Sequence, residues 1–158
     1  MTTTESSSNL KIEDWVLDFL SKPNEVFDNL PPCPFAKKAW LDGNVQVKEF
    51  ISFQDLRKDL RDWEKDVIIY LFQNTMLPTC DELEVLAKTF NDQYPEFLFL
   101  EETPNLVEDV GGVIVNQGEL CMMIVQKRKE VEEAREELKK TGYYDNWTPE
   151  MKERIINR

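Results

Sequence analysis

The chemically unusual stretch of this chain is a proline-rich corner, Leu30-Pro31-Pro32-Cys33-Pro34-Phe35, running directly into Ala36-Lys37-Lys38-Ala39-Trp40-Leu41 and Gly43. Pro34 suits the first position of a helix, where its missing N–H costs nothing, which predicts Cys33 as the N-cap residue. A thiol there feels the partial positive charge of the free N–H groups and ionises closer to neutral pH. Lys37 and Lys38 would add to that field and are the accompanying candidates for binding. Cys33 is therefore the candidate catalytic residue, as a thiolate nucleophile or a redox thiol. The competing expectation is a corner whose sulfur packs as a small hydrophobe, as free cysteine commonly does. Cys80 also stands at an expected helix start, where Thr79 already serves as cap. Cys121 lies in an apolar run and reads as a core residue.

Other chemistry is removed by composition. There is no histidine among the 158 residues, so Ser-His-Asp and Cys-His nucleophiles and His-ligated zinc are excluded. Glu101, Glu102, Glu108 and Asp109 follow an expected strand end, where open α/β sheets bind ligands, and could chelate a hard cation. Their spacing matches no metal loop, and they read as solvated surface. No metal and no cofactor is indicated. Trp147, in Tyr143-Tyr144-Asp145-Asn146-Trp147, either anchors a partner or docks the C-terminal segment on its own domain.

Nineteen basic residues face 31 acidic ones, a net charge of -12, which repels phosphate backbones and argues against nucleic acid. No charge-free stretch reaches the ~20 apolar residues of a membrane span. Residues 1–9 lack the marks of a secretory signal and read as a disordered lead. Three scattered cysteines without a Cys-x-x-Cys spacing suit a reducing compartment. The expected location is the cytoplasm, or the host cytoplasm for a viral protein.

Periodicity supplies the elements that must position these residues. Ile12, Trp15, Val16, Phe19 and Leu20 share one helical face, and Pro23 stops that helix. Val45 to Phe53 carries a strand signal, Leu56, Leu60 and Trp63 repeat at helical spacing, and Val67-Ile68-Ile69-Tyr70-Leu71-Phe72 is a strand apolar on both faces. Thr79 and Glu82 form a capping box before Leu83, Leu86, Ala87 and Phe90. Phe97 to Leu100 is another strand, and 112–125 reads as a hairpin around a Gly-containing turn, followed by a helix over 129–140. Thr148-Pro149-Glu150 opens a last short helix. The organisation is a lead at 1–9, N-terminal helices and the Pro-Cys-Pro corner at 10–44, an α/β core at 45–141, and an aromatic loop with a short helix at 142–158.

This order predicts an α/β fold, a three-layer sandwich on a mixed sheet of four to five strands, with helical extensions at both ends. The order resembles the thioredoxin-like fold, with Val67 to Phe72 as leading strand and the helix near Cys80 as its long helix. Where that fold carries its dithiol, this chain reads Leu77-Pro78-Thr79-Cys80, with a single thiol and no resolving partner in the motif. Separately, Cys33-Pro34-Phe35-Ala36-Lys37-Lys38-Ala39 resembles an uncharacterised bacterial family bearing Cys-Pro-Phe-Ala near the start. The chain is also similar to uncharacterised proteins of marine cyanobacterial phages. Members of the bacterial family tend to show Phe-His-Pro after the third strand, where this chain has Glu101-Glu102-Thr103-Pro104, so no histidine role carries over.

With a complete fold and only partial catalytic constellations, the expected function is a non-catalytic binding or accessory protein with a protein partner, its terminal helices supplying the contact surface. The alternatives are a thiol enzyme using Cys33 and an acidic inhibitor that imitates nucleic acid. Oligomeric state is not legible.

Overall fold

The computed structural model describes residues 10–72, 79–104, 108–116 and 120–156. The lead at 1–9, Leu77 and Pro78 of the single-thiol motif, and Gly118 of the expected turn lie outside the described residues.

The N-terminal stripe forms a helical turn at 10–14 and a π-helical segment, α1 (Trp15–Leu20), that turns Ile12 and Val16 into the core. After a 3-10 turn at Glu25–Phe27 and the proline-rich corner comes α2 (Ala36–Leu41). It ends where Gly43, at φ 71°, adopts the left-handed conformation that closes a helix with no Cβ penalty. β1 (Val45–Glu49), α3 (Phe53–Arg61) and β2 (Val67–Phe72) follow. Ser52 caps α3, its hydroxyl oxygen accepting the Asp55 N–H at 3.1 Å. The Thr79–Glu82 pair sits on a 3-10 turn at Cys80–Glu82, where the Glu82 carboxylate accepts from the Thr79 N–H at 3.0 Å, and α4 (Leu83–Gln93) starts only after it. Then come β3 (Phe97–Glu102), β4 (Asp109–Val110), β5 (Val113–Ile114), β6 (Cys121–Lys127), α5 (Arg128–Lys139) and α6 (Pro149–Met151). Thr148 caps α6 as its sequence requires, accepting the Met151 N–H, with Pro149 in the first turn.

The main sheet has the order β1-β2-β6-β3. β1 and β2 are parallel neighbours, and β6 runs antiparallel to both β2 and β3. β3 is therefore no neighbour of β2. The arrangement follows from side-chain character: Cys121, Met122, Met123 and Val125 bury on both faces of β6, as a central strand requires, whereas β3 ends in Glu101-Glu102.

The hairpin expected over 112–125 is not formed as such. Gly111 and Gly112, at φ 58° and 91°, make the turn, and β4 pairs with β5 in a separate two-stranded ribbon. Two successive left-handed residues are what a two-residue hairpin loop demands, and Gly-Gly supplies them at no steric cost. Gly111 has a second constraint, since a Cβ there would meet Val26 Cγ1 at 2.9 Å. Cys121 is a buried core residue of β6, as its apolar run predicts, and it is disulfide-bonded, which the scattered cysteine spacing does not suggest.

Helices cover the sheet from both sides, which makes three layers. On one face α3 and α4 pack Leu56, Leu60, Leu83, Ala87 and Phe90 onto Ile68, Tyr70, Phe99, Met123 and Val125. On the other, α1 and α2 pack on Ile69, Leu71 and Met122. A third cluster, Phe27, Val110, Tyr143 and Met151, joins the Glu25–Phe27 turn, the ribbon and the C-terminal segment. Among the described residues no helix is long and apolar enough to cross a membrane.

Candidate binding groove

The proline-rich corner lies at the rim of a groove of about 630 Å³ on the α1/α2 side of the sheet. Its floor crosses all four main strands, from Val45 on β1 and Val67 and Ile69 on β2 to Ile124 on β6 and Leu100 and Glu102 on β3. Trp15 and Trp40 form one wall, and α5 with the C-terminal segment forms the other. The gap exists because α1 and α2 are short and reach only part of this face, packing on Ile69 and Leu71 of β2 and Met122 of β6, while α5 lies beside β6 and β3. That helix buries none of its residues and offers the groove the half-buried Val131, Ala134, Arg135 and Leu138. Val45, Val67, Leu100 and Ile124 are accordingly only half-buried.

The walls are fixed by specific bonds. Trp15 Nε1 donates to the Val115 carbonyl at 3.1 Å, tying α1 to the ribbon, and Trp40 Nε1 donates to Glu13 Oε2 at 3.1 Å. The Arg135 guanidinium donates to the carbonyls of Ile156 and Ile155 at 3.2 and 3.0 Å, holding the C-terminal segment on α5. The Tyr143 hydroxyl, buried, donates to the Pro32 carbonyl, so the corner and the C-terminal segment are clamped directly together. Burial pushes the Tyr143 hydroxyl far up, and the nearby Cys33 and Tyr144 push it further, so it stays protonated as this donation requires.

Cys33 itself is free and lines the groove, but its setting differs from the expected one. Phe35, not Cys33, is the N-cap of α2, because Pro34 sits in a turn closed by the Ala36 N–H to the Cys33 carbonyl at 3.3 Å. Burial pushes the thiol up, and hydrogen bonds from the backbone of Phe35 and Ala36 offset this only in part. Lys37 is exposed, and Lys38 is ion-paired with Asp42 one turn along, a bond that raises its own pKa. Trp147 is half-buried against the rings of Phe27, Tyr143 and Tyr144, with centroids 6.4, 6.0 and 5.3 Å away.

The acidic residues depart furthest from expectation. Glu101, Glu102 and Glu108 are buried, at 2%, 9% and 2% exposure, whereas Asp109 is exposed and accepts the Gly112 N–H at 2.8 Å. The reason is long-range: the C-terminal segment folds over the end of β3 and brings Arg154 to 3.4 Å from Glu101 Oε2. Alternation along β3 sends Glu101 to the α3/α4 face and Glu102 to the groove. There Glu102 meets the Glu108 carboxyl. Burial foremost, then Glu108 and Glu101, raise Glu102 well above the ordinary carboxylate range, against a smaller opposing pull from Arg154. Glu102 Oε2 and Trp147 Nε1 are buried atoms without a hydrogen-bond partner, and both residues line the groove. Among the described residues no group of three or more His, Cys, Asp or Glu is placed to hold a metal ion.

No protein-family model matches the chain, and no curated protein or solved structure matches it either.

Proposed function

We propose that the chain is a non-catalytic binding protein that takes a small, largely apolar molecule into the groove over its half-covered sheet face. The observation that carries this reading is the floor: Val45, Val67, Leu100 and Ile124 lie half-buried in a cavity of about 630 Å³. That size is within the ~300–1,000 Å³ of sites that enclose small ligands, and such sites are mostly apolar with a few placed polar groups. Glu102, Cys33 and Trp147 are those groups here.

The thiol-enzyme reading has less support. A nucleophilic cysteine needs a depressed pKa, and the Cys33 thiol is pushed the opposite way by burial. The terminal helices have less to offer a protein partner than their patterning predicts, because Ile12, Val16 and Met151 are turned onto their own domain.

The test is equilibrium binding of a neutral apolar fluorophore such as Nile red to the folded protein. Saturable binding of one dye per chain is expected, and it should be lost when Ile124→Trp fills the floor of a still-folded variant. No saturable binding, or equal binding by the variant, would remove this reading.

A further inference from the structure

Resting on that reading, we propose that the groove selects an organic ammonium ion, with its apolar body on the strand floor and its charged head at Glu102. Glu102 is more than nine-tenths buried, lines the groove and is hydrogen-bonded to the Glu108 side chain, while its Oε2 atom has no hydrogen-bond partner. A buried carboxyl oxygen left in that state is costly, and the cost falls when a donor reaches it. The choice of donor follows from the surroundings. A second carboxyl, Glu108, faces Glu102, Glu101 stands one residue back on β3, and Arg154 is the cation that acts on this pair from the C-terminal segment. In such a field a neutral hydroxyl supplies a hydrogen bond only, whereas an ammonium supplies both a hydrogen bond and the positive charge that two adjacent carboxyls favour.

The rest of the wall suits the same head group. Tyr143, Tyr144 and Trp147 form a connected aromatic cluster that lines the groove, and ring faces attract cations with an apolar coat. The floor residues Leu100 and Ile124 are cross-strand partners, and Glu102 lies two residues beyond Leu100 on the same face of β3, which places the apolar patch and the carboxyl side by side.

The experiment compares octylammonium with octanol by titration calorimetry, on the full chain and on Glu102→Gln, with circular dichroism confirming that the variant folds. Octylammonium should bind the native chain about tenfold more tightly than octanol, because a charge-assisted bond is roughly twice as strong as a neutral one. In Glu102→Gln the two should differ by less than about threefold. Equal binding of both to the native chain overturns the ammonium inference and leaves the groove reading standing. An ammonium preference that survives Glu102→Gln overturns it as well, since attraction to the -12 net charge of the chain would then explain it. Binding of neither overturns both. Should the variant not fold, Glu102→Asp, which keeps the carboxyl and withdraws it by one methylene, replaces it. A preference undiminished in Glu102→Asp counts against the inference.

Discussion

The two faces of one sheet are built to different standards. On the α3/α4 face, aromatic rings interlock: Phe50 stacks on Phe72 at 4.6 Å, Phe90 meets Phe99 at 5.2 Å, and Trp63 meets Phe97 at 4.9 Å. Charges that reach this side are neutralised locally, as Lys48 bridges Asp55 and Asp59 at 3.1 and 2.9 Å and Tyr70 donates to Asp59 at 2.7 Å. On the α1/α2 face the covering helices are short, the floor residues are half-buried, and a carboxyl oxygen and an indole N–H lie buried without partners. One face is packed with interlocking rings, while the other combines a smaller core of Ile12, Val16, Ile69, Leu71 and Met122 with an open groove.

Truncating one side chain on each face separates the two most strongly. Phe99→Ala should cost about 3–5 kcal/mol, the usual range for a fully buried aromatic, and Ile124→Ala only about 1 kcal/mol, because its side chain is already part-solvated and leaves little new cavity. Denaturant unfolding of both variants checks this, and equal costs would mean that the groove face is packed like its opposite. Next in size is Tyr143→Phe, which removes the bond to Pro32 that clamps the corner, at about 1 kcal/mol. It should also raise the reactivity of Cys33 toward a thiol reagent by loosening the corner over it.

A pH series gives the third prediction. The folded pKa of Glu102 is raised above its unfolded value of about 4.3, so its contribution to stability is fully present below that value and is lost as pH rises through the raised pKa. The difference in melting temperature between the native chain and Glu102→Gln should therefore move against the native chain as pH rises across this window. A difference that does not change with pH would place Glu102 in solvent. The smallest effect is expected at Cys33, whose titration by reagent should show a pKa above ordinary cysteine, because burial disfavours the thiolate.

Much of the frame is legible from short-range pattern. The Ile12 and Val16 stripe, the doubly apolar run from Val67 to Phe72, Gly43 as helix terminator and Thr148-Pro149 as helix opener each depend on residues within one or two turns, and each stands where its pattern requires. What the pattern does not carry is contact between distant segments. Glu101-Glu102-Thr103-Pro104 reads as a hydrophilic loop, yet Glu101 is buried, with Arg154, some fifty positions later, brought against it at the strand end. Insertion of β6 between β2 and β3 is equally non-local. The shift of the turn to Gly111-Gly112 had a local signal, two glycines able to take positive φ side by side, outweighed by the apolar runs around Gly118. At Cys33 the proline does stand near a helix start, but Pro34 sits in a turn two residues before α2 begins, so Phe35 and not Cys33 is the N-cap.

The account is tested most directly by methyl-resolved NMR during an octylammonium titration. Methyl signals of Val45, Val67, Leu100 and Ile124 should shift along one saturating curve, while those of Leu56, Leu60 and Leu83 stay in place. Shifts on the α3/α4 face, or none on the groove floor, would contradict it.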